Sequence, residues 1–332
     1  YSLLFLVAHA FASISNSFPP DGYSMPYQIA IWLGGFLVSV LGLILLRKIL
    51  ILFYEDKIAC WVLLALGLAT NWMEYAAISN GMNHTWLFTL LCGLILFTIR
   101  FYKKADFTTS LGIGICFGLA VLTRPTEIIW MLIPLLWGIT GIRERINYLF
   151  IHHYKVLTAV LISGSLIFLQ SIYWKYASGE WFVFSYGEQQ FDWLHPAIKR
   201  GLIGANTGWW LYSPMLLLAM LGFPALFIRQ KTIFWALCIT SVLAIYITLS
   251  WGHWESGGGL GQRNLIQIYP LLAFPLASLI YMLTRNTLGK VIWILFLLIN
   301  IYYTGWWVHQ AHKGGFFKPG QMNRIYFLNV AG

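Results

Sequence analysis

Charge is scarce in this chain. Only 10% of its 332 residues are Asp, Glu, Lys or Arg, against ~25% in soluble globular domains. With 59% of the residues hydrophobic, that shortage excludes an ordinary water-soluble domain. Cysteine is sparse too: Cys60, Cys92, Cys116 and Cys238 each sit inside an apolar run without CxxC or metal-ligand spacing. This excludes a disulfide framework and leaves packing as their role. The sequence contains no GxGxxG, Walker loop, HExxH or nucleophile elbow, so soluble nucleotide cofactors and hydrolytic triads find no support.

What the chain does have is long apolar runs. A bilayer core of ~30 Å takes about 20 apolar residues as a helix, and the runs lack the period of two expected of a closed barrel. The composition therefore predicts an all-α fold, a polytopic transmembrane helical bundle. Its spans fall near 1–15, 27–46, 58–77, 84–101, 108–122, 128–141, 156–173, 209–228, 233–250, 265–284 and 290–308, ten or eleven in all. The chain reads as a single membrane domain, 1–332. Tyr1 at the start and Ala331-Gly332 at the end give the expectation of a fragment.

The net charge of +10 does not point to nucleic acid, because the basic residues punctuate the spans instead of forming a basic face or tail. If the spans alternate, one set of short connections holds 13 of the 21 basic residues, from Arg47 and Lys48 to Arg285 and Lys290. By the positive-inside rule that side is cytoplasmic. Asp21, Glu74, Glu127, Glu180, Glu188, Asp192 and Glu255 gather on the other side. So do the two most unusual connections, a long loop at 174–207 and a glycine-rich loop at 251–263. Function is expected to face outward.

Four segments on that side carry candidate chemistry. The glycine-rich loop, WGHWESGGGLGQR, places His253, Trp254, Glu255, Gln262 and Arg263 between two spans. Arg124, in LTRPTE, interrupts an apolar stretch and leaves short runs on each side, as in a re-entrant or tilted hairpin. An arginine at membrane depth costs at least ~2.5 kcal/mol unless it snorkels or meets an anion. It either pairs with Glu127 at i,i+3 or offers its planar fork of donors to a lipid phosphate.

Glu74, followed by Asn80, Asn83 and His84 in a tight turn, could set a carboxylate beside an imidazole for acid and base work. A capping turn would use the same residues. The 174–207 loop combines aromatics with Glu180, Tyr186, Glu188, Gln189, Asp192, Trp193 and His195. That mixture suits sugars, whose C–H faces pack on rings while hydroxyls meet carboxylates and amides; an interfacial aromatic belt would look the same. Asp21-Gly22 in SFPPDGYSMPYQ reads as a turn.

Taken together these segments resemble the polytopic glycosyltransferases of the GT-C fold, particularly bacterial relatives of protein mannosyltransferases and lipid A aminoarabinose transferases. GLAVLTRPTE is similar to the family's G-L-A-x-L-T-R-P-T/S segment, SNGMNHTWLFTL to its M-S-H segment with following aromatics, and WESGGGLGQRNLIQIYP to W-x-G-G-x-F-G-x-R-x-L. PPDGYSMPYQ and SYGEQQFDWLHP resemble further segments of a bacterial subgroup, so the resemblance covers most of the chain. Leu260 stands where relatives carry a bulky aromatic, and Ser256 and Gly259 depart from the loop pattern.

The resemblance implies transfer of a sugar from a polyprenyl-phosphate carrier to a lipid or glycan acceptor at the outer face of a bacterial inner membrane. It implies Arg124 and Arg263 at the phosphate. Sugar or acceptor would meet Glu188, Gln189, Asp192, Trp193, His195, Trp254 and Glu255. The family's acidic first-loop motif, which supplies the presumed base, has no match here; that base is expected upstream of Tyr1, with Glu74 and His84 as weaker candidates. No nucleotide sugar is needed, no cofactor is required, and a divalent metal stays open. Two other readings are a flippase or transporter of a lipid-linked sugar, for which inverted repeats are expected and none is visible, and a non-catalytic scaffold.

Overall fold

The computed structural model describes all residues except 1, 16, 140, 185, 186, 257, 258, 319 and 332. Gly257 and Gly258 of the glycine-rich loop and Tyr186 of the long loop thus lie outside the described residues. The described chain is helical nearly throughout: α1 (Ser2–Ile14), α2 (Met25–Leu50), α3 (Asp56–Leu68), α4 (His84–Lys103), α5 (Phe107–Thr123), α6 (Leu132–Leu136), α7 (Ile142–Ile151) and α8 (His153–Ser178). There follow α9 (Ile198–Ile203), α10 (Trp209–Tyr212), α11 (Pro214–Leu221), α12 (Phe223–Arg229), α13 (Lys231–Ser250), α14 (Tyr269–Leu283), α15 (Thr287–His309) and α16 (Arg324–Ala331). Two 3-10 turns, Pro125–Met131 and Arg263–Ile268, and two π turns, Glu74–Ile78 and Gln310–Gly314, interrupt the series.

Six segments are long and apolar enough to cross a membrane: Met25–Leu50, His84–Lys103, His153–Ser178, Lys231–Ser250, Arg263–Leu283 and Thr287–Gly314. The protein is an integral, multi-pass membrane protein. The remaining expected spans are shorter or broken, and the breaks have chemical causes. The run 209–228 divides into α10, α11 and α12 at Ser213 and Gly222, each followed within two residues by a proline, Pro214 and Pro224. The run 58–77 ends as a helix at Leu68, where Thr70 Oγ1 donates back to the Leu66 carbonyl (2.6 Å) and the chain re-forms as a π turn at Glu74. The run 128–141 becomes a 3-10 turn leading into the five residues of α6.

These breaks meet in the interior. Asn71 receives the chain at the end of α3, donates through its backbone N–H to Ser213 Oγ (3.0 Å) and through its amide to the Leu260 carbonyl (2.9 Å), and accepts from the Tyr269 hydroxyl. One buried amide thus ties α3, the α10–α11 break, the glycine-rich loop and α14 together. Polar groups inside a bilayer need such partners, since no water is there to supply them.

The most enclosed spans are α4 and α14 with its leading 3-10 turn. By contrast α8 meets the bundle along one edge, chiefly on α5. There the fit depends on small residues: a Cβ at Gly114 would lie 2.8 Å from the Ala159 carbonyl oxygen, and one at Gly118 would lie 2.8 Å from Ser163 Cα. This is the close backbone approach that drives helix association where burial of apolar surface gives no advantage over lipid. The α5 helix starts on a capping box, Asp106 accepting from the Thr109 N–H (2.8 Å) and donating its own N–H to Thr109 Oγ1 (3.2 Å). Its other end sets up the site.

Candidate functional site

Pro125 cannot continue α5, and the residue before a proline is forced out of the helical region. Arg124 accordingly adopts φ −147°, ψ 113°, and its side chain leaves the helix axis to donate from Nη2 to Asn264 Oδ1 (2.7 Å). Glu127 lies one turn on and is buried, accepting from Gln267 Nε2 (3.0 Å). Arg124 and Glu127 therefore each find a hydrogen-bonding partner on the facing turn Arg263–Ile268.

That turn grows directly out of the glycine-rich loop. The loop enters on an isolated antiparallel bridge between Trp251 and Phe191, reinforced by the Gly252 N–H donating to the Gln190 carbonyl (2.9 Å). Ser256 follows in the left-handed region at φ 50°, which costs a non-glycine residue of order 1–2 kcal/mol. It is held there from two directions: Arg263 Nη2 donates to its carbonyl and Asn264 Nδ2 to its Oγ. Gly259 is needed for a different reason, since a Cβ there would lie 2.4 Å from the Tyr75 hydroxyl and 3.0 Å from Arg263 Cδ. The loop wraps so closely around the Arg263 side chain that only hydrogen fits.

His84 opens α4 and is buried, with its Nδ1 lacking a hydrogen-bond partner among the described residues. The ring beside it is Tyr75, edge-on at 5.8 Å between centroids. Glu74 instead points toward the C-terminal π turn, where His312 Nε2 lies 2.9 Å from both carboxylate oxygens and Ser79 Oγ donates at 2.7 Å. The carboxylate–imidazole pair expected of Glu74 and His84 thus exists, but as Glu74 and His312, because the π turn carries Tyr75 rather than Glu74 to the His84 side.

Arg124, Arg263, Asn264, Gln267, His84, Ser256 and His253 all line one cavity of about 810 Å³. Its other wall is apolar: Trp174 at the end of α8, Phe182, Val183, Phe184 and Phe191 from the long loop, Ile247 from α13, and Trp251. Trp174 and Phe182 meet edge to face at 5.5 Å, and Phe191 and Trp251 at 4.7 Å. Among the described residues the lining holds two guanidinium groups and no carboxylate. It is a cationic end joined to an aromatic trough, and every part of it comes from helix ends and connections that alternation assigns to the same side.

The other expected site residues lie around this cavity without lining it. Asp192, Trp193 and His195 are exposed beside Phe191; Asp192 Oδ1 accepts the His195 N–H (2.9 Å), which holds the carboxyl below its usual range. The Trp193 ring stacks on Phe191 at 4.6 Å, and the Tyr246 hydroxyl donates to its carbonyl. Glu188 is exposed and Gln189 half-buried in the same stretch. Trp254 is buried in the core beneath the Arg200 guanidinium, 5.5 Å from the ring centroid, and Glu255 is half-buried beside it. Gln262 is buried and donates to Thr207 Oγ1 (3.2 Å).

The two amides that hold the charged groups of the site, Asn264 and Gln267, are not singled out by the sequence reading. Asn264 and Gln267 carried a readable signal, an amide at each of two positions three apart inside the apolar run that follows Arg263. No group of three or more His, Cys, Asp or Glu side chains gathers into a metal-holding set among the described residues. The chain matches no family model, and no curated protein matches it.

Proposed function

We propose that this membrane protein is a glycosyltransferase that takes a sugar from a polyprenyl-phosphate carrier and passes it to a lipid or glycan acceptor at the outer face of a bacterial inner membrane. The observation that carries this reading is the joining of Arg124 and Arg263 to an aromatic trough in one cavity. A lipid-linked sugar phosphate has that same division, a dianionic or monoanionic head on a long apolar chain. Guanidinium groups match phosphate oxygens with a planar fork, and aromatic side chains pack against isoprenoid units. The distribution of basic residues supports the outward sidedness.

In the transfer, an acceptor hydroxyl oxygen attacks the anomeric carbon and the bond from that carbon to the carrier phosphate oxygen breaks. The electron pair departs with the phosphate, and the hydroxyl proton passes to a base. Arg124 and Arg263 would stabilise the charge that grows on the leaving phosphate, the kind of fixed electrostatic contact that contributes most in a site shielded from water. Of the described lining residues, the two arginines suit the phosphate, and His84 and His253 are the side chains that could receive the proton. Glu188, Gln189, Asp192, Trp193 and His195, on the loop that supplies the aromatic wall, together with Trp254 and Glu255, are the proposed contacts for sugar or acceptor.

The test is binding and transfer with a radiolabelled polyprenyl-phosphate sugar in proteoliposomes, comparing the unmodified protein with Arg124→Gln and Arg263→Gln. Each substitution should lower transfer by roughly 10²–10³ and weaken donor binding. Retention of activity in both would overturn the assignment. Saturable binding with movement of the donor between leaflets and no transfer would replace the enzyme reading with a flippase.

A further inference from the structure

We propose that α7 is an interfacial helix, lying along the surface of the membrane with one edge inserted at the headgroup–acyl boundary. It has no fully buried residue, yet it is not featureless. At about 100° per residue, its side chains fall into three arcs. Arg145, Tyr148, Leu149 and His152 are half-buried and face the bundle. Ile142, Ile146 and Phe150, spaced i, i+4, i+8, form a second arc and are 74%, 62% and 75% exposed. Arg143, Glu144 and Asn147, all exposed, form the third, which also carries the exposed Ile151 at the last position of the helix. A helix in bulk water needs two arcs, one for protein and one for solvent. A third, apolar and uncovered, fits a helix that touches protein, lipid and water at once.

Its depth follows from what holds it. Tyr148 donates from its hydroxyl to the Phe101 carbonyl (3.0 Å), and the Arg145 guanidinium sits 4.0 Å over the Tyr102 ring while donating to the Trp137 carbonyl. Phe101 and Tyr102 belong to the last turn of α4, between Arg100 and Lys103. That combination of rings and basic side chains at the end of a span is characteristic of headgroup level. At its other end α7 runs into α8, a second candidate span, through His152 alone. Pinned to the same end of two spans, the helix has little freedom to leave the level at which hydrocarbon gives way to water.

The occupant of the apolar arc is lipid and not a second copy of the chain. Three side chains supply far less than the ~800 Å² per partner of a stable protein interface, whereas they suffice to anchor a helix already tethered at both ends. Arg143, Arg145 and Lys155 outnumber Glu144 here, which favours anionic headgroups.

Spin labels on the full chain test this. With Cys60 and Cys238 replaced by serine, single cysteines at Ile146, Phe150, Arg143 and Asn147 are labelled in vesicles of phosphatidylethanolamine and phosphatidylglycerol. Collision with oxygen, which concentrates in lipid, is compared with collision with a water-soluble nickel chelate. The oxygen-to-nickel ratio should be severalfold higher at 146 and 150 than at 143 and 147. A low ratio at all four would place the helix in water and overturn the proposal. Shielding of 146 and 150 from both reagents would put protein on that edge and overturn it equally. A label at Ile142 repeats the measurement if the one at 146 disturbs folding.

Discussion

The two walls of the cavity are built on opposite principles. The cationic wall is assembled from side chains that are buried or half-buried and fixed by named hydrogen bonds: Arg124 to Asn264, Gln267 to Glu127, Asn264 and Arg263 to Ser256. The aromatic wall comes largely from the loop after α8, where Phe182 and Phe184 are 73% and 54% exposed and the rings are held by contacts with one another. A head group of fixed geometry needs preorganised donors, because reorientation during reaction would cost what the contact contributes. A flexible isoprenoid chain needs only area. Under the proposed function, the first wall would supply specificity and the second capacity.

Breaking the cationic wall should therefore have the largest effect. Arg124→Gln and Arg263→Gln should each lower the transfer rate by roughly 10²–10³, the scale of losing one preorganised charge-stabilising contact, as measured by initial rates in proteoliposomes. Gly259→Ala tests whether placement matters as much as charge, since its Cβ would displace Arg263 while leaving the guanidinium in the protein. A shift of ~1 Å at a reacting centre can cost about 10², so its loss should approach that of the arginine variants. An unchanged rate would show that the loop yields without moving Arg263.

Behind the wall, Gln267→Leu removes the donor to the buried Glu127 carboxyl. Leaving such a group without a partner costs about 1–3 kcal/mol. The variant should lose stability in detergent, read as a lower thermal midpoint, along with activity. Gln267→Asn, too short to reach, should do the same. If Gln267→Leu kept its stability, Glu127 would have another partner available.

How much of this could be read in the sequence divides along the same line. Arg124 and Arg263 stood out because a charge in an apolar chain is expensive and must be used, and both do line the cavity. The helical, membrane-embedded architecture was legible for a similar reason, since apolar length alone reports it. The number of complete spans was not. Hydropathy does not register that Ser213, Gly222 and Pro214 divide one apolar run, or that Thr70 and Asn71 end another, because these residues act through backbone geometry and local hydrogen bonds. The partner of Glu74 was hidden as well: His312 lies 238 positions away, and its proximity depends on two π turns that no periodicity announces.

The smallest effects should come from the aromatic wall and from what lies beyond it. Phe182→Ala removes one ring that is already largely exposed, so the loss is about 1 kcal/mol of lipid contact, roughly fivefold in donor affinity. Its sharper signature is selective: affinity for a long-chain donor should fall, while a donor with a single isoprene unit should bind the variant and the unmodified protein alike. Equal losses with both donors would mean that Phe182 shapes the cationic end, contradicting the division between the walls. Asp192→Asn and His195→Ala, outside both walls and exposed, should lower donor affinity least of all. If either of them instead raises KM for the acceptor, the outer face of Phe191 is where the acceptor arrives. The cavity would then take its two substrates from opposite sides of a single aromatic strip, the lipid-linked donor along the trough and the acceptor across its rim.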